Sequence, residues 1–324
     1  MSAHSAAPTP VHTRLVVNQC PICKSQPKNS TQLLQDHVGM EIFTLVQCSQ
    51  CQLHYLKDPP RPENLPQYYQ NPSGSTMRSR SNRFNETLRT LLVKRQMAPL
   101  LKNLPPNHVF VDFGAGGGIT ASTLHGLGIA VEAWDVYPSR DWPHAKVPYR
   151  QVDFNDLLNL SPPPPLNFDK VPKTLILRHV LEHLYQPVSF FKQAQDLGAR
   201  RLFIIVPNGA SPWATWLGKY WCFWDPPRHL VHFQKESLRE LARQSGWEME
   251  FCRDSGIDEW ITSLHRYLSI RFKGNPKWNG IAKWSQRFLS ERSALTSLSA
   301  AFSSLFLKNV LEACFTRKES APTA

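Results

Sequence analysis

The most constraining feature of this chain lies between residues 108 and 135, where a glycine-rich turn joins two apolar runs. The first run, His108–Phe113, leads into Gly114-Ala-Gly-Gly-Gly118, and a helix-compatible segment, Ile119–Leu127, follows. The second run, 129–134, ends at Asp135. Strand, glycine turn, helix, strand and acid occur in this order in nucleotide-binding α/β folds. The glycines let the backbone approach the ligand, and the acid accepts hydrogen bonds from a ribose.

The residue before the turn indicates which kind of nucleotide ligand fits. Asp112 stands beside the turn in the pattern Asp112-x-Gly114-x-Gly116-x-Gly118. A carboxylate in this place would repel a pyrophosphate, which dinucleotide-binding folds hold at the following helix N-terminus. It favours a cationic ligand, such as one that carries an amino and a sulfonium group. The predicted ligand contacts are Asp112, Gly114, Ala115, Gly116 and Asp135.

At these residues the chain resembles motif I of the class I S-adenosylmethionine-dependent methyltransferases, and the resemblance continues to Trp247. The matching stretches are Asp153-Phe154, Leu175-Ile-Leu-Arg-His-Val-Leu-Glu-His-Leu184, Arg201–Val206 with Pro207-Asn208, Arg228-His-Leu-x-x-Phe233 and Gly246-Trp247. The resemblance implies an α/β fold: a doubly wound, Rossmann-like sheet of seven strands. It also implies S-adenosylmethionine as cofactor, with Asp135 at the ribose and Asp153 and Phe154 at the adenine.

Candidate catalytic residues follow the fourth strand of that fold, because ligands of open α/β sheets bind at the carboxyl ends of the strands. They are His179, Glu182 and His183. Helix capping and packing remain an alternative role for Glu182 and His183, and Arg228 and His229 are expected to anchor a loop. Similar quinone-pathway O-methyltransferases have a metal-linked acid–acid–His set that begins with a Glu. His179 replaces that Glu here, so the resemblance does not carry a catalytic metal to this chain.

A segment rich in tryptophan, Trp213–Trp224, follows the fifth predicted strand. Aromatic faces suit sugar rings or apolar chains, so the segment is a candidate cover over the substrate. A packed lid against the sheet is the alternative, and a membrane-interface role is a third.

Two Cys-x-x-Cys pairs, Cys20/Cys23 and Cys48/Cys51, lie near the N-terminus. Four thiolates form the closed tetrahedral set that structural zinc prefers. The strand-like run Met40–Gln47 leads into the second pair, an arrangement that resembles a zinc ribbon. Two unrelated pairs of buried thiols are the alternative. His54 is a possible substitute ligand, although we expect it to be a bystander.

Charge separates the centre of the chain from its ends. The net charge of the 324 residues is +12, divided into +6 over 1–100, −1 over 101–260 and +7 over 261–324. Neither a secretory signal nor a transmembrane segment is predicted, so we expect a cytoplasmic protein. The last segment carries basic residues interleaved with aromatic ones, followed by Leu295, Leu298, Phe302 and Leu305 at helical spacing. This pattern is compatible with helices that pack back or form a dimer, with an anionic membrane surface, or with nucleic acid.

These features predict four regions: a disordered tail (1–15), a zinc-ribbon-like module with linker (16–75), a methyltransferase domain (76–260) and a basic helical extension (261–324). The predicted function is methyl transfer from S-adenosylmethionine to a small-molecule or glycan-type acceptor, with nucleic acid an unlikely partner. The alternatives are a lipid-linked or quinone-type substrate at a membrane, an RNA substrate, and a non-catalytic binding module.

Overall fold

The computed structural model describes residues 14–36, 41–69, 83–136, 142–152, 173–256 and 308–318. Its strands are β1 (Pro27–Gln35), β2 (Ile42–Cys48), β3 (His54–Leu56), β4 (Val109–Phe113), β5 (Val131–Asp135), β6 (Tyr149–Gln151), β7 (Lys173–Arg178), β8 (Ala199–Pro207), β9 (Val231–His232), β10 (Trp247–Ser255) and β11 (Val310–Arg317). Its α-helices are α1 (Arg83–Met97), α2 (Ile119–Gly126), α3 (Pro187–Asp196), α4 (Pro212–Leu217) and α5 (Lys235–Ser245).

A seven-stranded sheet in the order β10-β11-β8-β7-β4-β5-β6 forms the centre of the molecule. The pairs from β8 to β6 are parallel, and β11 pairs antiparallel with both β8 and β10. Every residue of β4 and β5 is buried, as expected for parallel strands covered on both faces. The predicted seven-stranded α/β fold is confirmed. The carboxyl ends of β4, β5 and β7 meet at one edge, where the candidate site lies.

The end of the chain differs from its prediction. Residues 261–324 were expected to form a helical extension, yet 310–317 form β11, which lies between β8 and β10. The run Val310–Phe315 is buried throughout, and burial of this apolar stretch in the sheet outweighs any helical tendency. The predicted basic, aromatic part of the extension lies within 257–307, outside the described residues.

The N-terminal module has a four-stranded antiparallel sheet in the order β1-β2-β3-β9. Its last strand, β9, belongs in sequence to the central domain and pairs Val231 with Tyr55 and His232 with His54. The central domain therefore contributes one strand to the sheet of the module. The disordered tail was predicted to reach residue 15, but residues 14 and 15 are ordered. The Leu15 amide donates to the Pro59 carbonyl (2.8 Å), and Arg14 forms ion pairs with Glu41 and Asp58.

No helix in the described ranges has both the length and the apolar composition needed to cross a membrane.

Candidate active site

The glycine turn after β4 is built so that two of its positions accept only glycine. Gly114 has φ +71°, and a Cβ there would lie 2.5 Å from a methyl carbon of Val180. Gly118 has φ +73°, and a Cβ there would overlap the rings of Trp142 and His144. Side chains other than hydrogen are strained at such φ values. These two glycines are therefore required by the turn's own packing, because Val180, Trp142 and His144 occupy the space over them.

Asp135 lies against the turn at the end of β5. Its Oδ2 accepts a hydrogen bond from the Gly116 amide (2.6 Å), and its Oδ1 accepts one from the Val136 amide (2.7 Å). The structure thus brings the predicted acid and the predicted glycines together.

Asp112 is buried near the end of β4, where its Oδ2 accepts a hydrogen bond from the Ala121 amide in the first turn of α2 (3.1 Å). Burial raises the pKa of this carboxyl to about 6, although the nearby Arg178 guanidinium and the amide act to lower it. A nearby cationic ligand would stabilise the ionised form of this buried carboxylate.

A cavity of about 550 Å³ opens over Asp112 and the glycine turn, whereas Asp135 is buried and is not among its lining residues. The lining includes Asp112, the turn 114–117, His179, Phe223 and His229. Other lining residues were not predicted from the sequence: Arg89, Arg95, Gln96, Arg178, Arg253, Asp254 and Glu312. Glu312 comes from β11, and its carboxylate binds Gln96 (3.0 Å) and Arg253 (2.8 Å). Asp153 and Phe154 lie outside the described residues.

His179 follows β7 and has a left-handed backbone, with φ +56°. Its ring lies parallel to that of Phe223, with the ring centres 6.1 Å apart. Its Nδ1 lies 3.2 Å from Oε1 of the fully buried Glu182. Burial acts to raise the pKa of Glu182, but the hydrogen bond with His179 and the nearby histidines outweigh it and lower that pKa. The carboxylate therefore holds Nδ1–H of His179 and leaves Nε2 as the acceptor.

His183, the third predicted catalytic residue, is absent from the cavity lining. Its Nδ1 lies 2.8 Å from the Arg228 carbonyl oxygen and 2.9 Å from the Tyr69 hydroxyl. Burial, together with the neighbouring His229, lowers the pKa of His183 to about 4. A neutral ring in this position is compatible with the alternative role that the sequence left open, a packing contact.

Arg228 joins the loop before β9 to the N-terminal module. Its guanidinium binds Asp225 through two hydrogen bonds (2.9 and 2.5 Å) and donates to the Tyr68 carbonyl (3.3 Å). Asp36, at the end of β1, lies 3.9 Å away. The neighbouring Leu230 amide donates to the Glu182 carbonyl (2.8 Å). The expected role of Arg228 as a loop anchor agrees with these contacts.

The tryptophan-rich segment divides into buried and exposed residues. Trp221 and Trp224 are buried and meet edge to face, with ring centres 4.8 Å apart. Trp216 is 67% exposed. Within this segment, Phe223 is the residue that lines the cavity. The rest of the segment does not line the cavity, which agrees with the alternative prediction of a packed lid.

The four cysteines of the N-terminal module converge on one point. Cys20 and Cys51 have their sulfurs 3.5 Å apart, those of Cys23 and Cys48 are 3.4 Å apart, and all four lie within 4.8 Å of one another. The Gln50 and Cys51 amides donate to the sulfur of Cys48. Sulfurs about 3.8 Å apart surround a tetrahedral zinc ion with ~2.3 Å bonds, so this cluster fits zinc. His54 lies outside the cluster and contacts Gln234 (3.3 Å).

Comparisons with known proteins give one family match and distant structural similarities. Residues 82–250, slightly more than half of the chain, match a family described as "Methyltransferase domain". A structure described as a SAM-dependent methyltransferase from Archaeoglobus fulgidus aligns at 15% identity over 72% of this chain and 98% of its own, with a TM-score of 0.42. Coclaurine N-methyltransferase bound to N-methylheliamine and SAH aligns at 12% identity over 75% and 77%, with a TM-score of 0.44. The comparison with curated proteins finds no significant match.

Proposed function

The chain belongs to the methyltransferase-domain family, and on this premise we propose that it transfers the methyl group of S-adenosylmethionine to a small-molecule or glycan-precursor acceptor. The proposal rests on the finding that Asp112, the glycine turn and His179 all line the same cavity. Two reactants held in one cavity gain most of their rate enhancement from proximity and orientation.

Residues of the glycine turn and its two acids would hold the cofactor. When bound, S-adenosylmethionine supplies a methyl group activated by its sulfonium sulfur. Asp112 would bind its cationic end, the backbone at Gly114, Ala115 and Gly116 would approach its nucleoside, and Asp135 would accept hydrogen bonds from its ribose. Asp153 and Phe154 remain the candidates for the adenine contact.

His179 is the residue that we assign to proton removal from the acceptor. Glu182 orients the ring and stabilises the imidazolium that forms, so Nε2 is the proton acceptor. An acceptor that keeps no acidic hydrogen would need no such base, and His179 would then act by shape. Glu182 and His183 would then position neighbouring residues of the site and would not contact the substrate.

The four cysteines are proposed to hold one structural zinc ion. A full set of thiolates leaves no coordination position for a substrate. The ion would instead stabilise the module that contributes β3 to the sheet shared with β9.

A radiolabelled methyl-transfer assay on fractionated cell extract tests the function. We expect label from S-adenosylmethionine in the soluble small-molecule or glycan-precursor fraction. Label in lipid would favour the lipid-linked alternative, label in RNA the nucleic-acid alternative, and no transfer to any fraction the binding module. We expect His179→Asn to lower the rate by about 10²- to 10⁴-fold if the acceptor must lose a proton. His125→Asn, which changes an exposed histidine of α2, is the matched control.

A further inference from the structure

A second group of potential metal ligands lies behind the cavity, far in sequence from the cysteine cluster. Glu182, His183 and His229 each place one ligand atom within 4.8 Å of the others. Glu182 and His183 lie in the short 3-10 helix Leu181–His183 that follows β7, and His229 lies in the loop before β9. His229 also lines the cavity, so the group has a path to a ligand.

Both histidines are held in the form that binds metal ions. The Nδ1 of His183 lies 2.8 Å from the Arg228 carbonyl oxygen, and the Nδ1 of His229 lies 2.7 Å from that of Phe223. A carbonyl oxygen can only accept a hydrogen bond, so Nδ1 carries the hydrogen in both rings. Nε2 is then the ring nitrogen left to bind a metal ion in each of them. Backbone carbonyls hold metal-binding histidines in this same way.

Glu182 supplies an unsatisfied oxygen at the same place. Its Oε1 contacts His179, whereas its Oε2 is buried and has no hydrogen-bond partner among the described residues. A buried carboxylate oxygen without a donor, close to two imidazole rings, is unfavourable unless a cation is present.

We propose that Glu182, His183 and His229 form a site for one divalent transition-metal ion of the zinc type. Two imidazoles and one carboxylate are a common ligand set for this class of ion, and three protein ligands leave a coordination position open. Ligand atoms about 3.4 Å apart surround a tetrahedral ion with ~2.1 Å bonds. Because the three ligand atoms lie within 4.8 Å of one another, small side-chain rotations would close the set.

The purpose of such an ion rests on the proposed function, although its binding does not. His229 and His179 both line the cavity, so an ion held by these ligands would lie beside the proposed acceptor. Bound to such an ion, an acceptor hydroxyl would lose its proton more easily, and His179, whose Nδ1 contacts Glu182, would accept it.

Titration of the full-length, metal-free protein with Co²⁺ tests the proposal without reference to activity. We expect two ions per chain. One should give the intense thiolate-to-cobalt charge-transfer absorption of the cysteine cluster, and the other should give only weak d–d bands of nitrogen and oxygen ligands. In His229→Gln and in Glu182→Gln the second ion should bind at least ~10-fold more weakly, while the thiolate band persists. His125→Asn should bind both ions as wild type does.

The persisting thiolate band and an unchanged circular dichroism spectrum would show that a variant is folded. If Glu182→Gln fails this check, His229→Gln alone decides, since its side chain lies at the cavity wall. Wild-type protein that binds a single Co²⁺ ion through thiolates would overturn the proposal, and so would a second ion that binds equally well to the folded His229→Gln variant.

Discussion

At the scale of single residues, the two acids of the site differ in how they are satisfied. Asp135 accepts two short hydrogen bonds from backbone amides, which stabilise its charged form. Asp112 accepts one longer bond in a buried position, so its charge is poorly compensated in the unliganded protein. Asp135 therefore acts as a fixed acceptor, and Asp112 gains most from a cationic ligand.

Asp135→Asn should weaken binding of S-adenosylmethionine by about 10- to 100-fold, because it removes hydrogen bonds to a charged acceptor. Isothermal titration calorimetry measures this directly. Glu132→Gln is the matched control, since Glu132 lies on the same strand and pairs with Arg150 (3.3 Å). Equal affinity in Asp135→Asn and wild type would refute the ribose assignment.

Affinity for S-adenosylmethionine should fall as the pH is lowered through about 6. The pKa of Asp112 is raised to about 6 by burial, against the opposing effect of Arg178 and with a small contribution from Asp135. Below this pH the carboxyl is neutral and no longer attracts the cationic ligand, whereas above it the attraction is complete. Asp112→Asn should bind weakly and lose this part of the pH dependence. A wild-type pH profile retained by Asp112→Asn would contradict the assignment.

Much of the site could be predicted from local sequence. Asp112, Gly114, Gly116 and Asp135 belong to one continuous unit of strand, turn, helix and strand, so their spacing places them together. Glu312 could not be predicted in the same way, because its partners Gln96 and Arg253 are distant in sequence. Such non-local pairings leave no periodicity in the chain.

At the scale of elements, β11 is the largest departure from the sequence prediction. The strand pairs antiparallel with β8 and β10 and brings Glu312 to the cavity. Basic and aromatic residues over 261–324, followed by apolar residues at helical spacing, indicated a helical extension. The short apolar run at its end was therefore not recognised as a strand. The strands β4, β5 and β8 were predicted because each is a continuous apolar run beside a turn.

Leu311→Ala should lower the free energy of unfolding by about 2–5 kcal/mol, since it leaves a cavity in the core of the sheet. Leu311 is fully buried in β11. Urea denaturation followed by circular dichroism measures the change. The control is Leu127→Ala, at a position that is 41% exposed, where we expect a much smaller effect. Similar destabilisation in both variants would argue against β11 as a core strand.

At the scale of the whole molecule, the cysteine module and the central domain act as one structure. β3 pairs with β9, and the Leu56 amide donates to the Leu230 carbonyl (3.0 Å). Arg228 contacts Tyr68 and Asp36 in the module, and its neighbour His229 lines the cavity. These contacts connect the module to the cavity wall, so we expect changes in the module to affect that wall.

Cys51→Ser should release about one zinc ion per chain, lower the melting temperature and reduce methyl transfer, because the loosened module no longer supports β9 and His229. Elemental analysis and calorimetry measure the first two effects. Cys252→Ser, at a half-buried cysteine outside the cluster, should retain the zinc of wild type. An unchanged zinc content in Cys51→Ser would show that the four cysteines do not hold the ion.

Calorimetric titration of wild-type protein with S-adenosylmethionine shows whether the cavity over the glycine turn is a cofactor site. We expect one ligand bound per chain with a dissociation constant in the micromolar range. Folded protein that shows no binding at ligand concentrations far above that range would contradict it.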